Sequence, residues 1–247
     1  MQRIELKNII SGIFNSYSQI FFSDKKVFAF ILFVVTFFDW FAGFCGLLSV
    51  ILSICIAYWL GYDKYKIAAG YYSFNSLLVG LGIGIFYAPS FPLLIVIIAA
   101  AILTFFISVF LESVFGKYYL PYLSIPFLLS LWMISLSMRD FHALELSSRG
   151  LYKLNELYDV GGQSLVELYT WWTSLGIYLP LKVYFISLGA IFFQYNLLAG
   201  ILIAGGLLYF SRIAFSLSVL GFFTAYVLYG FTGAEISDLS YNYIGFN

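Results

Sequence analysis

Few side chains in this sequence suit bond-making chemistry. His142 is the sole histidine, and Cys45 and Cys55 are the only cysteines. The two cysteines fall in one expected helix, where ten steps of 1.5 Å set them about 15 Å apart, too far for a disulfide. Two small buried apolar residues is their plain reading. No nucleophile–base pair, metal-ligand cluster or phosphate loop is visible, which points away from an enzyme and from any cofactor or metal. What remains is a set of aromatic rings, amides and a hydroxyl. Gln19-Ile20-Phe21-Phe22 lies near the start, and Ala190-Ile191-Phe192-Phe193 follows 171 positions later (190 − 19). Phe74-Asn75 is echoed by Phe246-Asn247, 172 positions later (246 − 74). Ser124 stands between Pro121 and Pro126, with Leu78 four residues past Phe74. Such groups bind solutes or hold helices together; they do not transform substrates.

The elements that carry these residues belong in lipid. Of 247 residues 62% are hydrophobic and 10% charged, against roughly 25% charged in soluble domains. Residues 40–62, 67–111, 118–138, 183–211 and 213–234 contain no Asp, Glu, Lys or Arg. A spanning helix needs about 20 apolar residues, and a membrane barrel would show alternating strands of about 10, which these runs do not. The chain is therefore expected to be an all-α polytopic membrane protein. Twelve basic residues balance twelve acidic ones, so charge points to no nucleic-acid partner. The first apolar patch, 9–22, is broken by Asn15 and Gln19 and lacks the small-residue cleavage site of a signal peptide.

In chain order, 9–22 reads as a short helix, 27–38 as a short apolar run ended by Asp39 and Trp40, and 41–60 as a span. In the last, Gly43, Gly46 and Ser49 have the spacing that lets helices approach closely. Residues 61–66 form a polar turn. The segment 67–88 is interrupted by Ser73, Asn75, Ser76 and several glycines, 91–111 is a span closed by Glu112, and 118–138 contains Pro121 and Pro126. Broken helices at membrane depth occur only where protein or a wet cavity lines them, and they mark substrate paths in repeated transporters. Residues 139–180 hold three basic and five acidic residues. Leu151, Leu154 and Tyr158 recur there at helical spacing, which predicts a short amphipathic helix at the interface. The first half then restarts: 183–194 matches the opening helix, 197–210 matches 27–38, and 213–231 matches 41–60. Gly61-Tyr62-Asp63 becomes Gly233-Ala234-Glu235, and Tyr71 becomes Tyr243. The expected organisation is a first membrane repeat at 1–138, a polar segment at 139–180 and a partial second repeat at 181–247. An odd number of crossings in the first repeat would invert the second. Arg3 and Lys7 against Glu5 favour a cytoplasmic N-terminus.

These motifs resemble the urea transporter family. The resemblance is carried by Gln19-Ile20-Phe21-Phe22, the run Gly70 to Gly80, Leu120 to Phe127, and Phe193 to Gly200, over about residues 10–138 and 181–247. It implies two inverted repeats of spanning helices, each with a re-entrant half-helix, and a pore through every subunit of a homotrimer. The pore of that family is a flat slot between aromatic rings with a row of acceptor oxygens. By resemblance one end would use Gln19, Ile20, Phe22, Phe74 and Leu78. The other would use Ala190, Ile191, Phe193 and Phe246, with Ser124 in the middle where the family has Thr. Ala190 stands where the family usually carries Glu, so an acceptor is missing at that end. The second repeat stops inside its own motif, and the expectation is a longer reading frame.

Urea suits such a slot: it is planar, neutral and rich in N–H donors, each of which would cost about 1–3 kcal/mol if stripped of its partner. No ion-coupling carboxylate lies in the motifs, which implies passive flux of urea or a similar small amide across a plasma or inner membrane. The alternatives are a channel for another small neutral solute such as ammonia, or a membrane anchor whose pore is degenerate. Each candidate also has a plain structural reading. The phenylalanines, in a chain with 28 of them, would be lipid-facing or core filler. Gln19 would make a helix–helix contact, Asn75 and Asn247 would cap a broken helix, and Ser124 would bond a backbone carbonyl. Asp39 and Glu112 would be solvated at the interface.

Overall fold

A computed structural model describes residues 6–141, 143–149, 153–174, 176 and 178–232. Phe246, Asn247, Tyr243 and the turn 233–235 lie outside the described residues, as do His142 and Leu151. Eleven α-helices are described: α1 Leu6–Gln19, α2 Lys26–Thr36, α3 Trp40–Trp59, α4 Lys64–Ala68, α5 Phe74–Phe86, α6 Phe91–Phe115, α7 Ile125–Met138, α8 Lys153–Ser174, α9 Leu179–Ala190, α10 Leu197–Phe210 and α11 Arg212–Thr232. A 3-10 turn at Gly116–Tyr118 extends α6. Among the described residues the one β-type contact is an isolated bridge between Tyr87 and Leu146.

Three helices, α3, α6 and α11, are long and apolar enough to cross a membrane. Trp40 and Trp59 face outward at the two ends of α3, the position of an interfacial belt. The other apolar helices are shorter, and α1 with α2 forms an antiparallel hairpin. Its rings meet in reversed order, Phe14 with Phe33 at 5.5 Å and Phe21 with Phe28 at 5.4 Å between centroids. The α9–α10 pair is the equivalent hairpin, held so closely that a Cβ on Gly200 would lie 1.7 Å from the Phe185 carbonyl oxygen.

The repetition seen in the sequence is also a repetition of geometry. In the first hairpin Phe21, Phe22 and Ser23 donate their amides to Ser18, Gln19 and Ser18; in the second, Phe192, Phe193 and Gln194 donate to Gly189, Ala190 and Gly189. Each position is displaced by 171. Phe22 and Phe193 both adopt the left-handed conformation, with φ of 54° and 59°, which costs an L-residue about 1–2 kcal/mol. The two tips meet, with the rings of Phe21 and Phe192 6.2 Å apart. A residue that touches its own counterpart sits beside a local two-fold axis. The equivalent helices α2 and α10 pack on one another and run antiparallel. Phe28 stacks on Phe210 at 5.7 Å and 3°, while at the other end the Gln194 amide nitrogen lies 3.4 Å from the Thr36 carbonyl. Equivalent helices that run in opposite directions make the repeats inverted.

Within the first repeat α5 is the innermost element, buried from Phe74 through Gly84. At 13 residues it is about 20 Å long, against a hydrocarbon thickness of about 30 Å. It is the half-helix expected from the broken 67–88 segment. Small residues seat it on α3: Gly46 faces Leu77 and Leu81, and Gly80 lies against the Ser49 hydroxyl and the Cys45 carbonyl. In lipid such close backbone approach, not exclusion of water, is what holds helices together. The polar turn expected at 61–66 is in part helical, in the short helix α4. The helix found within 139–180 is longer than expected, 22 residues, and is interrupted at Gly162 (φ 64°); Tyr158, Leu168 and Trp171 are exposed on it.

Gly200→Ala should force α9 and α10 apart and cost about 1–3 kcal/mol, read as a lower thermal midpoint in detergent. Gly205→Ala, whose Cβ would meet nothing within 4 Å, should leave the midpoint within the scatter of surface substitutions, about 0.5 kcal/mol.

Candidate functional site

The turn that presents Phe74 is built against α1. Gly70 sits at φ +77°, and a Cβ there would strike the Ser16 backbone nitrogen at 2.4 Å, so this position needs both the conformation and the size of glycine. The Asn15 amide donates to the Ala68 carbonyl at 2.7 Å, and the hydroxyls of Ser16 and Ser73 are 2.6 Å apart. These bonds fix the start of α5 relative to the α1 tip. Phe74 then stacks on Tyr122 at 6.1 Å and 23°. Ile20 packs against the cluster of Phe74, Leu111 and Tyr122. The Tyr122 hydroxyl donates to the Tyr71 carbonyl at 2.8 Å. An ion pair of Lys66 on α4 with Glu112 near the end of α6 lies beside this cluster, with the ammonium 5.9 Å from the Tyr71 ring centre. Glu112 is therefore paired and not merely solvated. Its hydrogen bond holds the Lys66 ammonium above the usual lysine pKa, against the opposing pull of desolvation.

The middle of the chain of candidates is held by Asn75. Its amide nitrogen donates to the Leu123 carbonyl at 3.2 Å; it ties α5 to the segment before α7 instead of capping its own helix. Leu123 is left-handed, φ 48°, and Ser124 follows as the N-cap of α7 without a side-chain capping bond. Ser124 is half-buried. Because the Leu123 carbonyl can only accept, the amide orientation of Asn75 is determined, and its Oδ1 is buried with no donor among the described residues. An unmatched buried acceptor costs about 1–3 kcal/mol.

The second hairpin tip inserts into the first repeat. Phe193 lies edge-on to Phe86 at 6.3 Å and to Phe127 at 6.1 Å. A Cβ on Gly82 would be 3.0 Å from its Cζ. Leu78, Ile191 and Phe193 are buried in one core cluster against which Ile20 packs. Ala190 is buried too and offers only its backbone carbonyl. Phe22 is separate from all of these: it is 64% exposed where its counterpart Phe193 is 5% exposed. The physical reason is the cover. Gly82, Phe86 and Phe127 seat Phe193, whereas among the described residues no ring contact holds Phe22. Gln19 is half-buried beside Phe22. The structure thus brings Ile20 to Phe74, and Leu78, Ile191 and Phe193 into a common core; Phe246 lies outside the described residues. Tyr122, Phe86, Phe127 and Arg149 escaped the sequence reading. Tyr122 and Phe127 were within reach, inside the run Leu120 to Phe127, whereas Phe86 and Arg149 depend on contacts distant in sequence. One shallow depression of about 410 Å³ lies along α11, lined by Phe215, Ser216, Val219, Leu220 and Phe223; it includes none of the candidate residues.

A buried half-helix, antiparallel repeats and aromatic tips that meet at a two-fold define an inverted-repeat helical architecture of the kind found in membrane transporters. A family model described as "Urea transporter" matches residues 10–247, and the chain belongs to the urea transporter family. No curated protein matches it.

Truncating Phe193 should cost about 3 kcal/mol or more, as a cavity in a packed core does. Phe22→Ala keeps the same left-handed backbone and should cost under about 1 kcal/mol; thermal unfolding in detergent compares the two. The Lys66–Glu112 pair has a pH signature. Because the folded-state pKa of Lys66 is raised, its contribution is fully present below the ordinary lysine value and is lost as pH rises through the raised one. The midpoint difference between wild type and Lys66→Gln should therefore hold constant near neutrality and close only at strongly alkaline pH.

Proposed function

We propose that the protein conducts urea passively across a cell membrane, through a slot bounded by the two hairpin tips and the start of α5. The observation that carries this reading is the pair of superimposable left-handed turns that present Phe22 and Phe193 from opposite repeats and meet at Phe21 and Phe192. Phe22, exposed at the first tip, and Phe193, seated in the core at the second, would each offer a flat solute a ring at its own end of the slot, where a hydrated ion would lose its shell. Asn75 Oδ1, buried without a donor between Phe74 and Ser124, supplies an acceptor that a donor-rich solute would satisfy. The Ser124 hydroxyl, not engaged as a cap, supplies another. Gln19, Ile20, Leu78 and Ile191 would complete the walls, with Phe246 the counterpart of Phe74 at the far end.

No charge enters this set, so binding stays weak enough for release and flux needs no coupled ion. The division into repeats at 1–138 and 181–247 about a polar segment at 139–180 belongs to the same reading, as do a homotrimer and a plasma or inner membrane location. Ala190 favours a second reading. With no side-chain acceptor at that end, the slot would discriminate less against small neutral solutes with fewer N–H donors, such as a short amide or ammonia.

Stopped-flow shrinkage of liposomes holding the full-length protein tests this. Urea flux should be fast, independent of proton and sodium gradients, and should fall about tenfold or more in Phe22→Arg or Phe193→Arg, as a barrier increase of about 1.4 kcal/mol would produce. Equal rates for urea and acetamide would favour the broader solute. Flux equal to that of empty liposomes would leave a degenerate pore.

A further inference from the structure

We propose that Arg149 is a positioning residue for the Phe193 end of the slot, acting through the carboxyl end of α5. The proposal rests on the urea reading above for its transport consequence, but not for its structural one. After α7 the chain turns back instead of leaving the membrane domain. The Ala88 amide donates to the Glu145 carbonyl and the Ser147 amide to the Phe86 carbonyl, each at 2.9 Å, on either side of the Tyr87–Leu146 bridge. This strap delivers Arg149 to the last turn of α5. One guanidinium nitrogen, Nη2, donates to the Gly84 carbonyl and, at 3.2 Å, to the Tyr87 carbonyl; Nε donates to the Ser147 hydroxyl at 2.9 Å. The other terminal nitrogen, Nη1, faces Asp39 Oδ1 at 3.6 Å, and the guanidinium carbon lies 4.7 Å above the centre of the Phe41 ring.

Each of these contacts answers a need. The final carbonyls of a helix have no partner within it and carry partial negative charge. In a half-helix that ends inside a membrane protein, water cannot be counted on to supply one. A guanidinium meets several acceptors at once in a fixed fork, which a lysine cannot. Asp39, which already accepts from the Ala42 amide at 2.9 Å as the cap of α3, balances the charge, so a locked helix end is obtained without a net charge beside the slot. The same last turn seats Phe193: Gly82 faces the ring and Phe86 meets it edge-on. Whatever fixes 82–87 fixes where that ring stands. The polar segment between the repeats therefore sets one wall of the slot, through a residue that does not touch solute.

The test uses the full-length protein with 4-fluorophenylalanine at position 193 and compares wild type, Arg149→Gln, Arg149→Lys and Asp39→Asn. Three readouts are taken: thermal midpoint, the fluorine resonance in detergent, and flux of urea relative to methylurea in liposomes. Arg149→Gln should shift the fluorine resonance and lower urea flux about tenfold, the scale on which sub-ångström misplacement acts at a positioned site. Arg149→Lys, which keeps the charge but not the fork, should fold, partly restore the resonance, and leave an altered urea-to-methylurea ratio; it decides the matter if Arg149→Gln does not fold. Asp39→Asn should shift the resonance less. A folded Arg149→Gln or Arg149→Lys protein with unchanged resonance and unchanged ratio overturns the proposal. So does a loss of flux that merely tracks the loss of folded protein. Absence of urea flux in the wild type would overturn the transport reading alone, because the fluorine resonance still decides whether Arg149 positions Phe193.

Discussion

The structure is organised by the requirement that a helix too short to cross the bilayer have both its ends satisfied by protein. An exposed carbonyl or amide in hydrocarbon costs several kcal/mol, and α5, 13 residues long, is too short to reach both faces of a bilayer. Its start is reached through the Gly70 turn, pinned to α1 by Asn15 and Ser16. Its end is closed by the 145–149 strap and the Arg149 guanidinium. Its flanks lie against α3, where glycines permit the approach. The positions of α1, α3, α7 and the segment between the repeats are thus set by the needs of one half-helix, and the candidate residues Phe74, Asn75 and Leu78 lie on it.

Because lipid is as apolar as leucine, burial alone does not say which helices should adjoin. Contact geometry decides. Gly200 lets the second hairpin close, Gly206 receives the Phe28 ring, and the hydroxyls of Ser53 and Ser76 meet across α3 and α5 at 2.7 Å. Ring-on-ring contacts then place the tips: Phe21 on Phe192 and Phe193 between Phe86 and Phe127. Two ion pairs lie among the described residues, Lys66 with Glu112 and Arg149 with Asp39, and neither includes a candidate slot residue. That suits a path for an uncharged solute.

Much of this was legible in the residues. The charge-free runs located the helices to within a few positions, and the 171-residue offset identified equivalent positions that the backbone then reproduced bond for bond. The break at 67–88 announced a half-helix because glycine and asparagine in an apolar run signal backbone that something else must satisfy. Three matters were not legible. Asp39 and Glu112 looked like solvated termini because their partners, Arg149 and Lys66, are 110 and 46 residues distant. Asn75 looked like a cap because local bonding is the default for asparagine, whereas here it reaches Leu123. The unequal burial of Phe22 and Phe193 was invisible because sequence symmetry carries no information about what covers each copy.

The contact between Phe21 and Phe192 has a bearing on how such a chain changes over generations. Two copies of a duplicated segment ordinarily diverge independently, each adjusting to its own surroundings. Here each copy is part of the other's surroundings. A larger side chain at one tip must be accommodated by the other, and a helix shift in one hairpin is passed across the α2–α10 contact to its twin. A substitution near the axis is therefore felt by both hairpins at once.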